Sequence, residues 1–336
     1  MKNILVTGSC GFMGSHFVEQ LYNNYKFNVV ILDKMTYAGN IKNVRNVDFE
    51  KILYVGIEDP TIIDIMKYHK IDTVVNFAAQ THVDRSITNP MDFVKTDVLG
   101  VFNLAYCSLK LGIERFIHIS TDEVYGDSYS GEADESFPMI PNSPYAASKA
   151  AADLLLLSYY KTYNLPLIIV RPSNNMGERQ YPEKLVPFNI LRFLRGEKMF
   201  LHGEGNEKRE WIYVQDCCNG IMKVLNGGIV GQIYNVGSGI RCTNKYMLML
   251  LLKELTGEDN IELWSSYIEQ VFNRPGNDRQ YAINSSKIKE ELDFAPITNL
   301  KGSIQKTIKW YKENPNWWSE VDISSNIYTD NKNYLR

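Results

Sequence analysis

Asn3-Ile-Leu-Val-Thr7, continued by Gly8-Ser-Cys-Gly11-Phe-Met-Gly14, is the stretch that decides the fold of this 336-residue chain. The short apolar run predicts a buried strand, and the three glycines predict a sharp turn that opens a helix. Such a turn lets the backbone approach a diphosphate, whose negative charge is favoured by the amides and dipole of the helix N-terminus. The stretch therefore predicts a dinucleotide-binding unit.

An acidic residue follows the second predicted strand, as this unit requires. Asp33 ends the apolar run Asn28–Asp33 and stands about 20 residues after Gly14. A carboxylate at this place accepts hydrogen bonds from the adenosine ribose hydroxyls and repels a 2′-phosphate, so the sequence favours NAD over NADP. Lys34 keeps NADP open as the alternative, because a cation beside Asp33 could tolerate the phosphate.

Short apolar runs rich in Val and Ile alternate with amphipathic stretches through the first half of the chain. The runs predict parallel strands covered on both faces, and the stretches predict helices such as Ser15–Tyr25 and Pro60–His69. Strand and helix in alternation indicate an α/β fold, a doubly wound parallel sheet of the Rossmann type. The further predicted strands are Thr73–Ala78, Arg115–Ser120, Leu167–Arg171 and Gln232–Val236.

Loops that contain Gly, Pro, Arg and Asn become more frequent after residue 172. Such loops are typical of a cap over the carboxyl edge of an open sheet, where ligands bind. We therefore expect a smaller, discontinuous α/β substrate-binding domain built from about 173–210 and 241–318. Residues 1–172 with about 211–240 would form the dinucleotide-binding domain, and 319–336 a polar tail.

The composition argues against several classes of protein. The net charge of -3 gives no basic field for nucleic acid. No apolar run approaches the length of about 18 residues that a membrane span needs, and the N-terminus has no pattern of a secretion signal. The five cysteines are odd in number and lack metal-ligand spacing. We therefore expect a soluble cytoplasmic protein with reduced thiols and no metal site.

A tyrosine and a lysine four residues apart predict proton transfer beside the dinucleotide. Tyr145 and Lys149 fall on one face of a predicted helix. An unperturbed tyrosine is a poor base at neutral pH, but a nearby ammonium and the positive nicotinamide favour its phenolate. Thr121, at the end of the preceding predicted strand, could hydrogen-bond the same substrate hydroxyl.

Two adjacent carboxylates, Asp122 and Glu123, follow that strand at the carboxyl edge of the sheet. They can divide the work of an elimination if one stays protonated as the acid while the other accepts a proton as the base. Along an extended chain the two side chains would point in opposite directions, so a turn must bring both to one substrate.

The motifs resemble those of the extended short-chain dehydrogenase/reductase family, specifically nucleotide-sugar 4,6-dehydratases of the dTDP-glucose and UDP-glucose type. The resemblance runs from residue 1 to about 318. It rests on five stretches in combination: Asp33-Lys-Met-Thr-Tyr-Ala-Gly-Asn40, Phe77-Ala-Ala-Gln-Thr-His-Val-Asp-Arg-Ser86, Ser120-Thr-Asp-Glu-Val-Tyr-Gly126, Pro182-Glu-Lys-Leu185 and Arg274-Pro-Gly-Asn-Asp-Arg279.

The resemblance implies a mechanism in which the sugar is oxidised briefly so that it can lose water. Tyr145 would take the 4-hydroxyl proton while hydride leaves C4 for NAD, with Thr121 orienting the oxygen and Lys149 lowering the Tyr145 pKa. Glu123 would take the C5 proton, and Asp122 would protonate the departing 6-hydroxyl. Hydride would return to C6, which gives a 4-keto-6-deoxy sugar nucleotide.

The resemblance also implies which residues touch the ligands. The expected cofactor contacts are Gly8, Gly11, Phe12, Met13, Gly14, Asp33, Lys34, Thr36, Asp59, Ala78, Tyr145 and Lys149. The expected substrate contacts are His82, Asn174, Asn175, Glu183, Lys184, Leu185, Arg209, Asn244, Arg274, Arg279 and Tyr281.

Several positions depart from the family's pattern, among them Gly56, Met176 and Glu178. Gly56 stands where an Asp often contacts the adenine, so one cofactor hydrogen bond is expected to be missing. Met176 and Glu178 replace a Tyr and a Pro of a substrate loop, which predicts an altered pocket wall.

The family commonly forms homodimers through two helices of each subunit, here Asp97–Leu111 and Tyr145–Tyr163, packed as a four-helix bundle. The apolar seam would come from Val98, Val101, Phe102, Ala105, Leu109, Ala151, Leu154, Leu155 and Tyr159.

Two other functions fit parts of the pattern. A nucleotide-sugar 4-epimerase would share the glycines, Tyr145 and Lys149 but would not need Asp122 and Glu123. A non-catalytic nucleotide-binding scaffold could keep the fold, although such proteins typically lose the Tyr or the Lys. The nucleotide base, dTDP or UDP, and the later fate of the product stay open.

Overall fold

A seven-stranded parallel sheet forms the centre of the computed structural model, which describes residues 2–23, 27–44, 52–128, 131–259, 264–273, 275–319 and 321. The strands of this sheet are β1 (Lys2–Thr7), β2 (Phe27–Leu32), β3 (Ile52–Leu53), β4 (Thr73–Asn76), β5 (Arg115–Ile119), β6 (Leu167–Pro172) and β10 (Ile233–Val236). Their order is β10-β6-β5-β4-β1-β2-β3, so the strand order reverses between β1 and β4. The predicted doubly wound Rossmann sheet is confirmed, and ligands bind at such a switch point.

Two small sheets lie outside the main one. The strands β7 (Asn174–Met176), β9 (Lys208–Tyr213) and β11 (Arg241–Thr243) form one of them, and β8 (Met199–His202) pairs with β12 (Ile268–Val271) in the other. Between the strands run α1 (Phe12–Tyr22), α2 (Ile62–Tyr68), α3 (Val83–Thr88), α4 (Pro90–Phe93), α5 (Val101–Leu111), α6 (Pro144–Tyr163), α7 (Leu185–Leu194), α8 (Val214–Gly227), α9 (Asn244–Thr256), α10 (Trp264–Tyr267), α11 (Ser286–Leu292), α12 (Leu300–Glu313) and α13 (Pro315–Trp318).

Apolar side chains cover both faces of the main sheet, which explains the continuous hydrophobic runs of its strands. A separate core joins β7, β8, β9 and helices α7, α9 and α12. The residues of this second core come mainly from the chain segments expected to form a substrate-binding domain. The division into two domains remains a proposal. Most of the predicted tail lies outside the described residues. Within the described ranges, no helix has the length and apolarity that crossing a membrane requires.

The helix before β5 is longer than expected and changes its winding. It begins at Pro90, passes through a π-helical segment at Val94–Gly100 and continues as α5. A π-helical turn contains more residues than an α-helical turn, so it rotates the side chains that follow. Val101 and Ala105 of α5, expected on the dimer seam, are buried inside the subunit.

Candidate active site

One large cleft, about 420 Å³ in volume, opens at the carboxyl edge of the main sheet. Its lining combines residues that follow β1, β2, β4 and β5 with residues of the second core, such as Phe188 and Trp211. Polar residues that sequence analysis assigned to cofactor and substrate therefore share a single cavity.

The glycine loop between β1 and α1 forms one end of this cleft. Gly8 has φ +65°, and a Cβ on it would stand 2.6 Å from the Ala78 nitrogen. A Cβ on Gly14 would stand 2.2 Å from the carbonyl oxygen of Gly8. The loop is thus closed so tightly that neither glycine tolerates a side chain, and α1 presents its first amides to the cleft.

Asp33 is fixed beside this loop, just beyond the end of β2. Its carboxylate accepts hydrogen bonds from the backbone nitrogens of Cys10 and Met35, both at 2.8 Å. Burial raises its pKa, and these backbone donors oppose the rise. The Lys34 ammonium pairs with Glu58, so the cation that kept NADP open is neutralised by a second carboxylate.

Glu58 is a ligand-facing residue that the sequence analysis missed. A Cβ on Gly56 would lie 2.5 Å from Glu58 Oε2, so this carboxylate occupies the space of the absent side chain. Among the described residues, Oε2 has no hydrogen-bond partner, although it is buried. In the sequence, Glu58 is only an acid two residues after Gly56, the position where an adenine-contacting Asp is expected. The direction of its side chain could be determined only from the fold.

Asp59 does not line the cleft, in contrast to the expectation. Its carboxylate accepts hydrogen bonds from the backbone and hydroxyl of Thr61, at 2.8 and 2.6 Å, just before α2. All the other expected cofactor contacts line the cleft: Gly8, Gly11, Phe12, Met13, Gly14, Asp33, Lys34, Thr36, Ala78, Tyr145 and Lys149.

A short 3-10 helix, Asp122–Tyr125, supplies the turn that the two carboxylates need. Thr121 caps it, because its hydroxyl oxygen accepts a hydrogen bond from the Glu123 nitrogen at 3.3 Å. The same hydroxyl lies 3.4 Å from Asp122 Oδ1 and also hydrogen-bonds to Tyr145. Asp122 and Glu123 both line the cleft as a result.

Asp122 and Glu123 differ in their surroundings, as a division of acid and base requires. Asp122 is 2% exposed, whereas Glu123 is half-buried. Burial raises the Asp122 pKa well above its usual range, and the charges of Glu123 and Glu210 add to the rise. The raised pKa favours the protonated form of Asp122, and its buried Oδ2 has no partner among the described residues.

Tyr145 and Lys149 come from the first turns of α6, which is capped by Ser143. The Lys149 ammonium donates to the Ile119 carbonyl at 2.8 Å. Burial lowers the Lys149 pKa, while the carboxylates of Asp97 and Asp153 oppose that shift. Asp97 sits in the π-helical segment, and its carboxylate also accepts a hydrogen bond from the Ser148 hydroxyl.

The Tyr145 pKa is raised rather than lowered in the structure. Burial is the main cause, and the carboxylates of Glu123 and Asp97 add to it, while the hydrogen bond with Thr121 opposes it. Lys149 is not among the main causes of this shift, so the lowering expected from its ammonium together with the nicotinamide charge stays a prediction. A further positive charge beside the phenol is needed to favour the phenolate.

The opposite end of the cleft carries the expected substrate contacts. Lys184 donates to the Thr81 carbonyl, and its ammonium lies 5.9 Å from the Tyr145 ring centre. Arg209 is 4% exposed and lies over the Tyr281 ring at 4.3 Å. The expected residues that line the cleft are His82, Asn174, Asn175, Glu183, Lys184, Leu185, Arg209, Asn244 and Tyr281.

The family model described as GDP-mannose 4,6 dehydratase matches residues 5–307 of this chain. The chain belongs to that family.

Relatives of the GDP-mannose 4,6 dehydratase family agree with the assignment over nearly the whole chain. A dTDP-glucose 4,6-dehydratase of Streptomyces antibioticus is 40% identical over 325 residues, which cover 95% of each chain. The crystal structure of the dTDP-glucose 4,6-dehydratase DesIV from Streptomyces venezuelae, with NAD bound, has a TM-score of 0.90 and 40% identity over 95% of this chain and 100% of that one. A UDP-glucose 4-epimerase of Thermotoga maritima has a TM-score of 0.84 but 29% identity, over 93% of this chain and 99% of that one.

Three expectations drawn from the resemblance to this family need correction. Met176 is fully buried in the second core, and Glu178 accepts a hydrogen bond from the Tyr213 hydroxyl at 2.6 Å. Neither residue lines the cleft, so neither side chain forms part of the pocket wall. Arg279 is exposed and also absent from the lining. Arg274 lies outside the described residues.

Proposed function

We propose that this protein is an NAD-dependent lyase that dehydrates a nucleoside-diphosphate glucose to the 4-keto-6-deoxy sugar nucleotide. The observation that carries the proposal is the meeting of a buried Asp122 with a raised pKa, a half-buried Glu123 and Tyr145 in one cleft. An enzyme that only transfers hydride needs Tyr145, whereas an enzyme that removes water also needs an acid and a base.

NAD fits the end of the cleft formed by the glycine loop. The first amides of α1 would hold its diphosphate, and the Asp33 carboxylate would accept from the adenosine ribose. The unpartnered Glu58 Oε2 would accept from the adenine amino group in place of the missing Asp at Gly56. When bound, NAD+ supplies a hydride acceptor and a positive charge near Tyr145.

Tyr145 acts first, as the base for the sugar 4-hydroxyl. The Thr121 hydroxyl, which hydrogen-bonds to Tyr145, orients the 4-oxygen. Lys149 is held by the Ile119 carbonyl and by the charges of two buried carboxylates, so its ammonium stays directed at the same region. Oxidation at C4 makes the neighbouring C5 hydrogen acidic.

Glu123 and Asp122 then divide the elimination. Glu123 takes the C5 proton, the electron pair of that bond forms the C5–C6 double bond, and the 6-hydroxyl leaves. Asp122 supplies the proton that turns this leaving group into water, which its raised pKa permits at neutral pH. Glu123 returns its proton to C5 when hydride enters C6.

The sugar nucleotide would be dTDP-glucose or UDP-glucose, and we propose dTDP-glucose as the preferred substrate. The most similar relatives named above act on dTDP-glucose according to their names. The Arg209 guanidinium suits the diphosphate, because a guanidinium fork matches phosphate oxygens. The kcat/KM for dTDP-glucose is expected to exceed that for UDP-glucose when both are measured side by side.

Deuterium at C4 of the substrate tests the reaction directly. We expect dTDP-glucose labelled at C4 to give a 4-keto product that carries the deuterium at C6, without added reductant. The label must move because the cofactor takes and returns the same hydride. Mass spectrometry and proton NMR of the product locate it.

Two other outcomes would contradict the proposal. A C4 epimer that keeps its 6-hydroxyl would assign the 4-epimerase reaction, which the structural likeness to a UDP-glucose 4-epimerase makes the second candidate. If neither dTDP-glucose nor UDP-glucose is converted, the remaining candidate function is that of a non-catalytic nucleotide-binding scaffold.

A homodimer is also proposed, on the exposed apolar faces of α5 and α6. Phe102 and Tyr106 stack with ring centres 6.2 Å apart, and Phe102 also contacts Tyr159 of α6. Leu154 of α6 is 57% exposed. Apolar faces of this kind on paired helices are buried when four helices form a bundle.

Charge on this face is expected to separate the subunits. The double variant Phe102→Glu with Leu154→Glu would place carboxylates against apolar partners, so we expect the mass from light scattering to fall from two chains to one. Ile297→Glu, at an equally apolar but distant residue that is 86% exposed, serves as the control. A wild-type protein of single-chain mass would contradict the dimer.

The five cysteines are buried and unpaired, which supports a cytoplasmic location.

A further inference from the structure

The hydroxyl of Tyr281 lies between two carboxylates. Its oxygen is 2.6 Å from Asp278 Oδ2 and 3.4 Å from Glu123 Oε2. Tyr281 is 3% exposed and Asp278 is 5% exposed, so solvent has little access to this contact. Asp278 does not line the cleft, whereas Tyr281 and Glu123 do.

A hydroxyl has one proton, and the two distances decide where it goes. A separation of 2.6 Å is that of a short hydrogen bond to a carboxylate, whereas 3.4 Å exceeds the ordinary range for a hydroxyl donor. Tyr281 therefore donates to Asp278. The hydroxyl oxygen, rather than its proton, is then directed toward Glu123 Oε2.

Asp278 is held in the position that accepts this proton. Its second oxygen, Oδ1, accepts a hydrogen bond from the Asn142 amide at 2.5 Å. Arg209 donates to the Asp278 carbonyl at 2.8 Å and covers the Tyr281 ring. Both oxygens of the carboxylate thus receive donors, so its position relative to Tyr281 is fixed.

We propose that Asp278 is a positioning residue that fixes the direction of the Tyr281 hydroxyl and thereby makes Glu123 a better base. An ionised Glu123 faces an oxygen lone pair, which is unfavourable. A Glu123 that has taken a proton can donate to that same oxygen, which is favourable. The arrangement therefore stabilises Glu123 after it has removed the C5 proton, and it rests on the proposed function of Glu123.

The reversed arrangement would be a weaker base. If Asp278 could not accept, the Tyr281 hydroxyl would turn and donate to the Glu123 carboxylate. That hydrogen bond stabilises the ionised form and so opposes proton uptake. Oxidation at C4 depends on Tyr145 and would continue, so the sugar would wait as the 4-ketone with NADH still bound.

Asp278→Asn tests the direction of the hydroxyl with little change in shape. The Asn142 amide would keep the oxygen of the new side chain, which leaves the new amide nitrogen to donate to Tyr281. Asp278→Ala reaches the same reversed state by removing the acceptor. We expect both variants to lower kcat about 10- to 100-fold, the range for one reversed hydrogen bond to a charged group. KM should stay within about twofold, and bound NADH should accumulate during turnover.

Double exchange offers a rescue that a merely structural role would not show. In Asn142→Asp with Asp278→Asn, the carboxylate introduced at position 142 accepts from the amide nitrogen introduced at position 278. The amide oxygen at position 278 then faces Tyr281 and again accepts its proton. We expect kcat to recover at least several-fold over Asp278→Asn alone, and NADH to stop accumulating.

Three results separate this inference from the proposed function. If the wild-type enzyme fails to move the C4 deuterium to C6, the proposed function falls. If the wild type moves it and Asp278→Asn keeps a normal kcat, only the role of Asp278 falls. A rise in KM without bound NADH would show a role in substrate binding and would equally overturn the inference.

Discussion

Replacement of both carboxylates, Asp122→Asn with Glu123→Gln, is expected to lower the rate of dehydration about 1,000-fold or more. General acids and bases each contribute roughly 10²- to 10⁴-fold, and this variant removes one of each. An amide at position 122 keeps the shape of the protonated acid and an oxygen for the Thr121 hydroxyl, so the fold should persist.

Oxidation at C4 should survive in this double variant, because Tyr145 and Lys149 are untouched. We therefore expect NADH absorbance to rise on mixing with substrate and then to remain, while little 4-keto-6-deoxy product forms. Rapid mixing followed by product analysis measures both quantities.

The chain contains a matched control for this prediction. Asp134 and Glu135 are also adjacent acids, but they accept hydrogen bonds from Ser136 and from the Asn235 nitrogen, away from the cleft. The pair Asp134→Asn with Glu135→Gln should turn over at close to the wild-type rate. Normal dehydration by the Asp122 and Glu123 variant would show that the division of labour is wrong.

Tyr145→Phe should stop the reaction one step earlier. We expect kcat to fall about 1,000-fold, because the 4-hydroxyl loses the base that takes its proton when hydride leaves C4. The ring also packs against Phe93 with centres 6.2 Å apart, and Phe keeps this contact, so the melting temperature should change little. NADH should not appear at all, in contrast to the carboxylate variant.

Tyr125→Phe provides the comparison for Tyr145→Phe. Tyr125 is 2% exposed, and its hydroxyl donates to Asn235 at 2.8 Å without lining the cleft. Its variant loses one buried hydrogen bond but should keep kcat. A Tyr145→Phe enzyme that still forms NADH at the wild-type rate would refute the assigned base.

Local patterns predicted the main sheet well, because each of its longer strands is an apolar run buried on both faces. β3 has two residues, Ile52 and Leu53, which are too few to carry a periodic signal. On α5, periodicity could not separate the buried face from the exposed one, because both carry apolar side chains: Val101 and Ala105 are fully buried, whereas Phe102 is exposed.

Residues at the cleft were predictable where a motif fixes them to a strand end or helix start, as for Thr121 and Tyr145. Prediction failed where the direction of a side chain depends on distant packing. Glu58 reaches the cleft because Gly56 leaves room for it, and Met176 leaves the cleft for the second core. Asp278 acts through Tyr281, a relation that spacing in the chain does not express.

The Thr121 hydroxyl has a consequence for the balance of protons over a complete turnover. In the proposed mechanism, Tyr145 ends the cycle with one proton more than it began with, since the 4-hydroxyl proton stays on it. Asp122 ends with one proton fewer, since it gave that proton to water. The hydroxyl that touches both residues links the surplus to the deficit. Both residues are buried, so this link gives the enzyme a way to restore its own starting state without an acid or base from the buffer.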